Sequence, residues 1–328
     1  MKNKATFIPI ASGKGGVGKS MFAANLAIAL ATRGDESVAV DLDLGGSNLY
    51  TFLGISNRYP GIGDYFKSSE IRFNDLFVQT SIPNLRFIPG DGRTPFMANI
   101  SREQRGTLLK QIRNISAKYV ILDIGAGSAF NSLQFFGLSY RGIIVTTFEI
   151  PSIMNFIMFL RNFIFRVIAV IVHGNKKVFS MVNKAFNIPI DAAPLTVNAL
   201  ISKIKEMDQS LAAKVETACS RYRPRIVFNM SDSPENLKVL TKIRDTLKKG
   251  LSIDAEFLGC IFFDKQVRAA SIKGDVFLYN YPESIAAKSI NHIAKNVSEN
   301  WGSPIEKSHI YLMEEATKNF EAWSCAYG

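Results

Sequence analysis

A glycine-rich run close to the amino terminus contains the residues whose types and spacing are best suited to chemistry. It consists of Gly13, Lys14, Gly15, Gly16, Val17, Gly18, Lys19 and Ser20, which have the spacing G-x-x-x-x-G-K-[ST]. In such a loop the backbone N–H groups suit the α- and β-phosphates of a nucleotide. Lys19 would reach the β- and γ-phosphates, and the Ser20 hydroxyl would bind Mg²⁺. The run therefore predicts a phosphate-binding loop, and the alternative is a glycine-rich turn that arose by chance.

Two predicted elements flank this loop and would position it. Residues 6–10 are apolar and predict a short buried strand, and residues 21–32 have a helical pattern. A strand, a glycine-rich loop and a helix in this order form the setting in which the motif binds phosphate, because the helix N-terminus also attracts anions. Met21, the first residue after the motif, belongs to the candidate nucleotide-binding residues.

Three aspartates follow apolar runs at positions where they could hold a metal ion. Asp41 and Asp43 end the run at residues 37–43, and Asp123 ends the apolar part of the run that starts at residue 119. Such runs are typical of parallel strands buried on both faces, whose carboxyl ends form the binding edge of an open α/β sheet. Asp123 could hold Mg²⁺ through a water molecule. For Asp41 and Asp43, the two residues alone favour capping of the next element.

Four further apolar runs, at residues 85–90, 142–147, 225–230 and 258–264, predict additional strands. Helical patterns cover residues 101–116, 151–173, most of 176–222, 267–272 and 284–297, and Ser101 with Gln104 predicts a capping box. This alternation predicts an α/β fold with a doubly wound, mostly parallel sheet flanked by helices, as in P-loop NTPases, and a helical basic insertion. We expect one domain over residues 1–328, with the basic helical segment at about 151–222 and a C-terminal helical tail at about 303–328.

The charge is distributed unevenly along the chain. The 328 residues have a formal net charge of +11, and residues 151–230 contain 11 Lys and Arg against 4 Asp and Glu, a difference of +7. A basic face indicates an acidic protein, a nucleic acid or an anionic membrane as the partner, and the alternative is an ordinary solvated surface.

The predicted helix at residues 151–173 is apolar enough to suggest a membrane span, which needs about 20 apolar residues. Asn155, Arg161, Asn162 and Arg166 interrupt it, and charges are unfavourable at a bilayer centre. We therefore expect a core or interface helix with an exposed basic edge and no transmembrane span. No signal peptide is recognised before the first strand, and the three distant cysteines predict neither a disulfide framework nor a clustered metal site. A reducing cytoplasm fits these features.

The order of the motifs resembles the MinD/ParA family of P-loop ATPases, the deviant Walker A type of the SIMIBI class. Lys14 makes the loop KGGVGKS, residues 41–48 read D-x-D-x-G-x-x-N as in the family's switch I, and residues 121–127 read ILDIGAG as in its switch II. The resemblance implies ATP and Mg²⁺ as cofactors and Lys14, Lys19 and Asp43 as catalytic residues. Lys14 would reach the nucleotide of a second subunit. Asp43 would position or deprotonate the attacking water, and Ser20, Asp43 and Asp123 would hold the metal ion.

The resemblance also implies roles for residues farther along the chain. Asn229 would read the adenine base, and the alternative is an asparagine that forms a turn. Asp264 matches the family's second base-side position, and Asp41 would lie behind Asp43 near the magnesium shell. Phe148 stands where the family usually has proline. Residues 306–328 contain two lysines and four glutamates and lack the charge pattern of the basic membrane helix that ends many MinD-type proteins.

The function implied is that of the FlhG/FleN-like branch, a dimerisation switch. Such a protein binds ATP, hydrolyses it slowly, forms a homodimer in the ATP state and responds to an activating protein partner. It positions or regulates a cellular structure, such as a flagellum or a division site, from the cytoplasm or from a peripheral place at the inner face of the membrane. Three alternatives stay open. One is a partition ATPase that coats nucleoid DNA. Another is an iron–sulfur carrier of the Mrp type, for which paired cysteines are missing. The third is a P-loop small-molecule kinase or ligase, against which Lys14 argues.

Overall fold

The computed structural model describes residues 5–90, 100–187 and 196–327. Eight strands form one sheet in the spatial order β3-β4-β2-β5-β1-β6-β7-β8, and every neighbouring pair is parallel except β3 with β4. The strands are β1 Thr6–Ala11, β2 Ser37–Leu42, β3 Val78–Gln79, β4 Leu85–Ile88, β5 Tyr119–Ile124, β6 Ile143–Thr146, β7 Arg225–Ser231 and β8 Glu256–Phe262. The predicted α/β fold with a doubly wound, mostly parallel sheet is thus confirmed.

Helices cover both faces of the sheet. They are α1 Lys19–Thr32, α2 Leu49–Phe52, α3 Ile62–Lys67, α4 Arg102–Arg113, α5 Phe130–Phe136, α6 Ile150–Val172, α7 Lys176–Phe186, α8 Val197–Met207, α9 Gln209–Ser220, α10 Leu240–Leu251, α11 Lys265–Lys273, α12 Phe277–Asn280, α13 Ile285–Asn300 and α14 Ser308–Tyr327. Two short 3₁₀ helices lie at Phe73–Leu76 and Pro234–Val239. The basic helical segment forms α6 to α9, which connect β6 to β7.

The central strands are buried along their whole length, which explains their continuous apolar sequences. β2, β5 and β6 have no exposed residue, and helices cover them from both sides. β1 lies between β5 and β6, and β2 pairs with β5 in a register that sets Asp41 opposite Asp123. Because these strands are parallel, their carboxyl ends meet at one edge of the sheet.

Several predicted boundaries differ from the observed ones. β8 begins and ends two residues before the predicted strand, so Asp264 lies outside it. The stretch between residues 59 and 84 contains α3, the 3₁₀ helix Phe73–Leu76 and β3. The predicted capping box at Ser101 and Gln104 is confirmed. Ser101 Oγ accepts from the backbone N–H of Gln104, and Gln104 Oε1 accepts from the backbone N–H of Ser101. Residues 188–195 of the basic segment, which include Pro189 and Pro194, lie outside the described residues.

The helix α6 packs against the sheet face that also holds α4, α5, α7 to α10 and α14. Phe156, Phe159 and Leu160 on its inner side are fully buried, and Phe136 of α5 meets Phe159 edge-to-face with ring centroids 5.1 Å apart. It is the one described helix that is long and apolar enough to cross a membrane, a test that mostly buried core helices also pass. The packing agrees with the predicted core helix.

The C-terminal helix α14 lies on the sheet beside β8. Leu312 and Ala316 are buried, and Phe320 contacts Phe262 of β8 with ring centroids 4.8 Å apart. At the first residue of this helix, the Ser308 hydroxyl accepts a hydrogen bond from the backbone N–H of Phe257 in β8 at 3.0 Å. The apolar face of the tail is therefore used inside the fold.

Candidate functional site

The glycine-rich loop connects the end of β1 to the first turn of α1, at the middle of the sheet. Gly16 and Gly18 have φ values of 83° and 82°, a left-handed conformation that glycine adopts without strain. Gly18 is the N-cap of α1, so Lys19 and Ser20 lie in the first helical turn, two residues earlier than the sequence predicts. No acidic residue occupies that turn. Its backbone N–H groups and the helix dipole therefore favour an anion.

Two distant parts of the chain fix the shape of this loop. The side-chain amide of Asn229, at the end of β7, donates to the carbonyl of Val17 at 2.9 Å. On the other side, a Cβ atom at Gly13 would run into the backbone of Asn155 and Phe156 in α6. Glycine is required at position 13 because the backbone of α6 approaches so closely. The loop is held between β7 and α6.

Lys19 is the centre of the charged cluster. It is buried, and its Nζ donates to Asp123 Oδ1 at 2.5 Å and lies 4.0 Å from Asp43 Oδ2. The Ser20 hydroxyl is 3.4 Å from the same Nζ. The structure therefore brings together four of the predicted site residues, Lys19, Ser20, Asp43 and Asp123, from two strand ends and one helix.

Asp123 has the chemistry of a metal-site residue. Its side chain is fully buried, and its Oδ2 has no hydrogen-bond partner among the described residues. Burial raises the pKa of this carboxyl, Lys19 opposes the rise, and the charge of Asp43 adds to it. Hard carboxylate and hydroxyl oxygens suit Mg²⁺. Ser20, Asp43 and Asp123 thus fit a magnesium ion that also binds phosphate oxygens.

Asp41 is hydrogen-bonded to the loop that follows β2. Both of its oxygens are used by its own loop, because Oδ2 accepts from the Ser47 hydroxyl at 2.6 Å and from the Leu49 N–H at 3.1 Å, and Oδ1 accepts from the Asp43 N–H at 3.0 Å. Burial, together with the neighbouring Asp123 charge, raises the pKa of Asp41 to about 7. Asp41 therefore holds the loop that carries Asp43 and lies opposite Asp123 in the sheet, and its place near the magnesium shell stays a prediction.

The two predicted switch loops lie side by side. A Cβ atom at Gly125 would lie 3.2 Å from Asp43 Oδ1, so the glycine leaves room for the aspartate. The Gly127 N–H donates to the Ser12 carbonyl at 2.9 Å, which ties the second loop to the end of β1. Asp43 is the partly exposed carboxylate of the cluster, and its Oδ2 lies 4.0 Å from Lys19 Nζ.

The two predicted base-side residues are less alike than the sequence suggests. Asn229 is buried, and its amide already supports the phosphate-binding loop. Asp264 caps α11 and accepts from the Gln266 N–H at 2.8 Å. Met230 is not among the predicted site residues, yet its Cε lies 3.4 Å from the Cβ position of Gly18 and its side chain is exposed. An apolar residue directly after a strand-end asparagine is the signal that could have identified it.

Lys14 lies at the start of the loop, is partly exposed and forms no ion pair among the described residues. The described part of the chain also contains no cluster of three His, Cys, Asp or Glu side chains that could hold a metal ion by themselves. Cys219 and Cys260 are buried, and Cys325 is exposed. The cysteines do not meet.

Comparisons with known proteins agree with this geometry. A family model described as the CobQ/CobB/MinD/ParA nucleotide binding domain matches residues 8–277. The septum site-determining protein MinD of Synechocystis is 33% identical over 149 residues, which are 45% of this chain and 55% of that protein. The flagellum site-determining protein YlxH of Helicobacter pylori is 32% identical over 148 residues, which are 44% of this chain and 49% of that protein. The chain spans about half the length of the curated relatives it matches.

A solved structure shows the same fold. The septum site-determining protein MinD complexed with Mg-ADP from Pyrococcus horikoshii OT3 superimposes with a TM-score of 0.59 at 19% sequence identity, covering 91% of this chain and 98% of that one. The family match covers most of the sequence, including the glycine-rich loop and both aspartate-containing strand ends. The chain belongs to the CobQ/CobB/MinD/ParA nucleotide-binding family, and it has relatives of both the MinD and the flagellar YlxH type.

Proposed function

We propose that the protein is an ATPase switch that binds ATP with Mg²⁺, hydrolyses it slowly and dimerises in the ATP state. The observation that carries this proposal is the position of Lys19, which is held by Asp123 and lies 4.0 Å from Asp43 at the N-terminus of α1. A γ-phosphate at this helix end would meet Lys19, backbone N–H groups and a carboxylate able to orient water. The whole chain 1–328 would act as one domain.

Each site residue has a proposed role toward the phosphates, the metal ion, the base or the attacking water. Gly13 to Ser20 and Met21 would bind the phosphates, Ser20, Asp43 and Asp123 would hold Mg²⁺, and Asn229 and Asp264 would lie on the base side. Asp43 would orient the attacking water and accept its proton, and Lys19 would offset the charge that develops on the transferred phosphoryl group. When bound, Mg²⁺ would neutralise charge on the phosphate oxygens.

A homodimer is supported by features beside the loop. Lys14 has no ion-pair partner among the described residues of its own chain, so its charge is available to a nucleotide in a second subunit. Asn155 touches the loop at Gly13, and the nearby Ile150 and Met154 at the start of α6 are 77% and 52% exposed. Large exposed apolar residues next to a site favour a protein contact there.

The cellular role that we infer is the positioning or regulation of a flagellum, a division site or a similar structure. The names of the MinD and YlxH relatives support this role. We place the protein in the cytoplasm or peripherally on the membrane, together with an activating protein partner. The basic segment offers seven exposed cations for a protein, an anionic membrane or DNA: Lys176, Lys177, Lys184, Lys203, Lys205, Lys214 and Arg221.

The +7 excess overstates the charge of this surface. Arg225 is fully buried, and its Nε donates to Glu256 Oε2 at 3.0 Å, so its charge is compensated inside the fold. Arg161 and Arg166 are half-buried and stack on phenylalanine rings. Contact with DNA or lipid would therefore depend on the exposed lysines and Arg221.

The deciding experiment combines turnover with light scattering. We expect an unstimulated rate near ~10⁻⁴ to 10⁻² s⁻¹, as for switch NTPases that lack their activator. Asp43→Ala should keep ATP binding and accumulate dimer, because it loses water activation but no phosphate contact. Lys19→Ala should lose nucleotide binding. Rapid unstimulated turnover, or an Asp43→Ala protein that binds ATP and stays monomeric, would overturn the proposal.

A further inference from the structure

A groove of about 880 Å³ opens between α4, α5, α6 and α7, away from the glycine-rich loop. Its apolar lining includes Phe130, Leu133, Phe165, Val170, Phe179 and Phe186. Of these, Phe130, Val170 and Phe186 are strongly exposed, at 52%, 65% and 41%. Apolar side chains gathered in a concave surface favour binding of another apolar group.

Two arginines enclose one ring in this groove. The guanidinium carbon of Arg105 lies 4.5 Å from the centroid of Phe130, and that of Arg166 lies 3.7 Å from it. Arg105 is only 7% exposed, its Nη1 donates to Asn131 at 2.7 Å, and its Nε has no hydrogen-bond partner among the described residues. A buried guanidinium N–H without a partner is unfavourable, and an acceptor oxygen from a bound group would satisfy it.

Within the described lining of the groove, no acidic side chain balances the positive charge. Arg102, Arg105 and Arg166 all line the groove, and no Asp or Glu is found among its described lining residues. Burial lowers the pKa of Arg105 and of Arg166, and a nearby like charge adds to the effect, Arg102 at Arg105 and Arg105 at Arg166. An anionic group in the groove would relieve both the repulsion and the unpaired N–H.

We propose that this groove binds an acidic amphipathic segment of a protein partner, with apolar side chains on Phe130 and Val170 and carboxylates on Arg105 and Arg166. The combination of features selects this occupant. Guanidinium groups bind carboxylates bidentately, and an amphipathic helix lays its apolar face into an apolar groove. The arginines lie inside a concave surface with apolar walls, so one occupant must offer both anionic and apolar groups, as an acidic amphipathic helix does.

The groove is also connected to the predicted second switch loop. Phe130 is the first residue of α5, which follows that loop directly, and the Ser132 hydroxyl donates to the Gly125 carbonyl at 3.0 Å. A segment that grips Phe130 would therefore act on the backbone beside Asp43. This coupling rests on the proposed function, whereas the docking itself does not.

The test uses the full chain and a phage-displayed library of random peptides. Peptides are selected on wild-type protein alone, and the binding of the enriched peptide to wild type and to each variant is then measured by fluorescence anisotropy. We expect enriched peptides to be acidic, with large apolar residues at helical spacing. Val170→Glu should weaken binding about tenfold or more, because it adds a like charge at an exposed groove position that tolerates it. Arg105→Gln/Arg166→Gln should do the same, with folding checked by thermal unfolding.

Ile272→Glu, a change at an exposed apolar residue of α11, serves as the matched control and should leave peptide binding unchanged. Enrichment of basic peptides, or equal binding by Val170→Glu and wild type, would overturn the proposal. The proposal would also be overturned if wild-type protein bound vesicles of phosphatidylglycerol and phosphatidylcholine instead of peptide, and if Val170→Glu abolished that vesicle binding. ATP binding and unstimulated turnover should be the same in wild type and Val170→Glu, so a failure of docking is separable from a failure of the switch.

Discussion

The side-chain amide of Asn229 donates to the backbone carbonyl of Val17 at 2.9 Å, across 212 residues of sequence. The end of β7 therefore braces the middle of the phosphate-binding loop through a contact made within the protein itself. Gly18 must lack a side chain here, because a Cβ atom would occupy the place of the Asn229 amide nitrogen. The loop is shaped in advance, which reduces the conformational entropy that a ligand must remove.

Asn229→Ala should destabilise the protein even when no nucleotide is bound. The substitution leaves the buried Val17 carbonyl without its donor, and we expect the free energy of unfolding to fall by about 1–3 kcal/mol. Urea denaturation of the nucleotide-free protein measures this, and Asn183→Ala, at an exposed position of α7, is the control. If the nucleotide-free variant is as stable as wild type and only ATP affinity falls, Asn229 acts on the base alone.

Lys19→Met should destabilise the nucleotide-free protein, because it leaves the buried Asp123 carboxylate without its cation. Removal of one partner from a buried pair typically costs about 3–5 kcal/mol. The double variant Lys19→Met/Asp123→Asn removes both charges and should recover most of this loss. Guanidinium unfolding at mildly alkaline pH compares the three proteins. Equal stability of the single and double variants would contradict the pairing.

Two glycines of the same loop should respond differently to alanine. At Gly13 the new Cβ meets the backbone of Asn155, which cannot move away, so we expect a loss of about 1–3 kcal/mol in the free energy of unfolding. At Gly15 nothing lies within 4 Å of the new Cβ, so the nucleotide-free protein should keep its stability. Thermal unfolding without ligand distinguishes them. A stable Gly13→Ala protein would show that α6 does not press on the loop.

The three thiols should react at very different rates. Burial raises the pKa of the Cys219 thiol to about 11 and that of Cys260 to about 12, so neither forms the reactive thiolate readily. Cys325 is exposed on α14. A chromogenic disulfide reagent should therefore modify one thiol quickly and two only on unfolding, with Cys325→Ser as the control that removes the fast phase. Fast reaction of a second thiol in the folded protein would show that a packed region opens.

The parts that the sequence predicts well are those encoded locally. The loop at residues 13–20 is recognised from the spacing of its glycines, lysine and serine. The central strands are recognised because burial on both faces makes them uniformly apolar. The bracing of Val17 by Asn229 depends on two residues that only the folded sheet brings together. The same holds for the stacking of Arg105 and Arg166 on Phe130, where three helices meet.

Residue type alone could also mislead. Asp41 and Asp43 are indistinguishable in the sequence as strand-end carboxylates, yet the hydroxyl of Ser47 and two backbone amides occupy Asp41. Asp43 is partly exposed beside Lys19. Likewise, the count of basic residues at 151–230 could not reveal that Arg225 is buried against Glu256. Side-chain environment, and not pattern, separates these cases.

Both borders of the sheet are closed to another strand. β3 is only two residues long, and at the opposite border all seven residues of β8 are buried, with the Phe257 N–H already bonded to Ser308. Open strand borders invite edge-to-edge pairing, which leads to fibrils and mixed aggregates. For the proposed dimerisation switch, this arrangement means that two copies can meet through loops and helices and separate again without their sheets fusing.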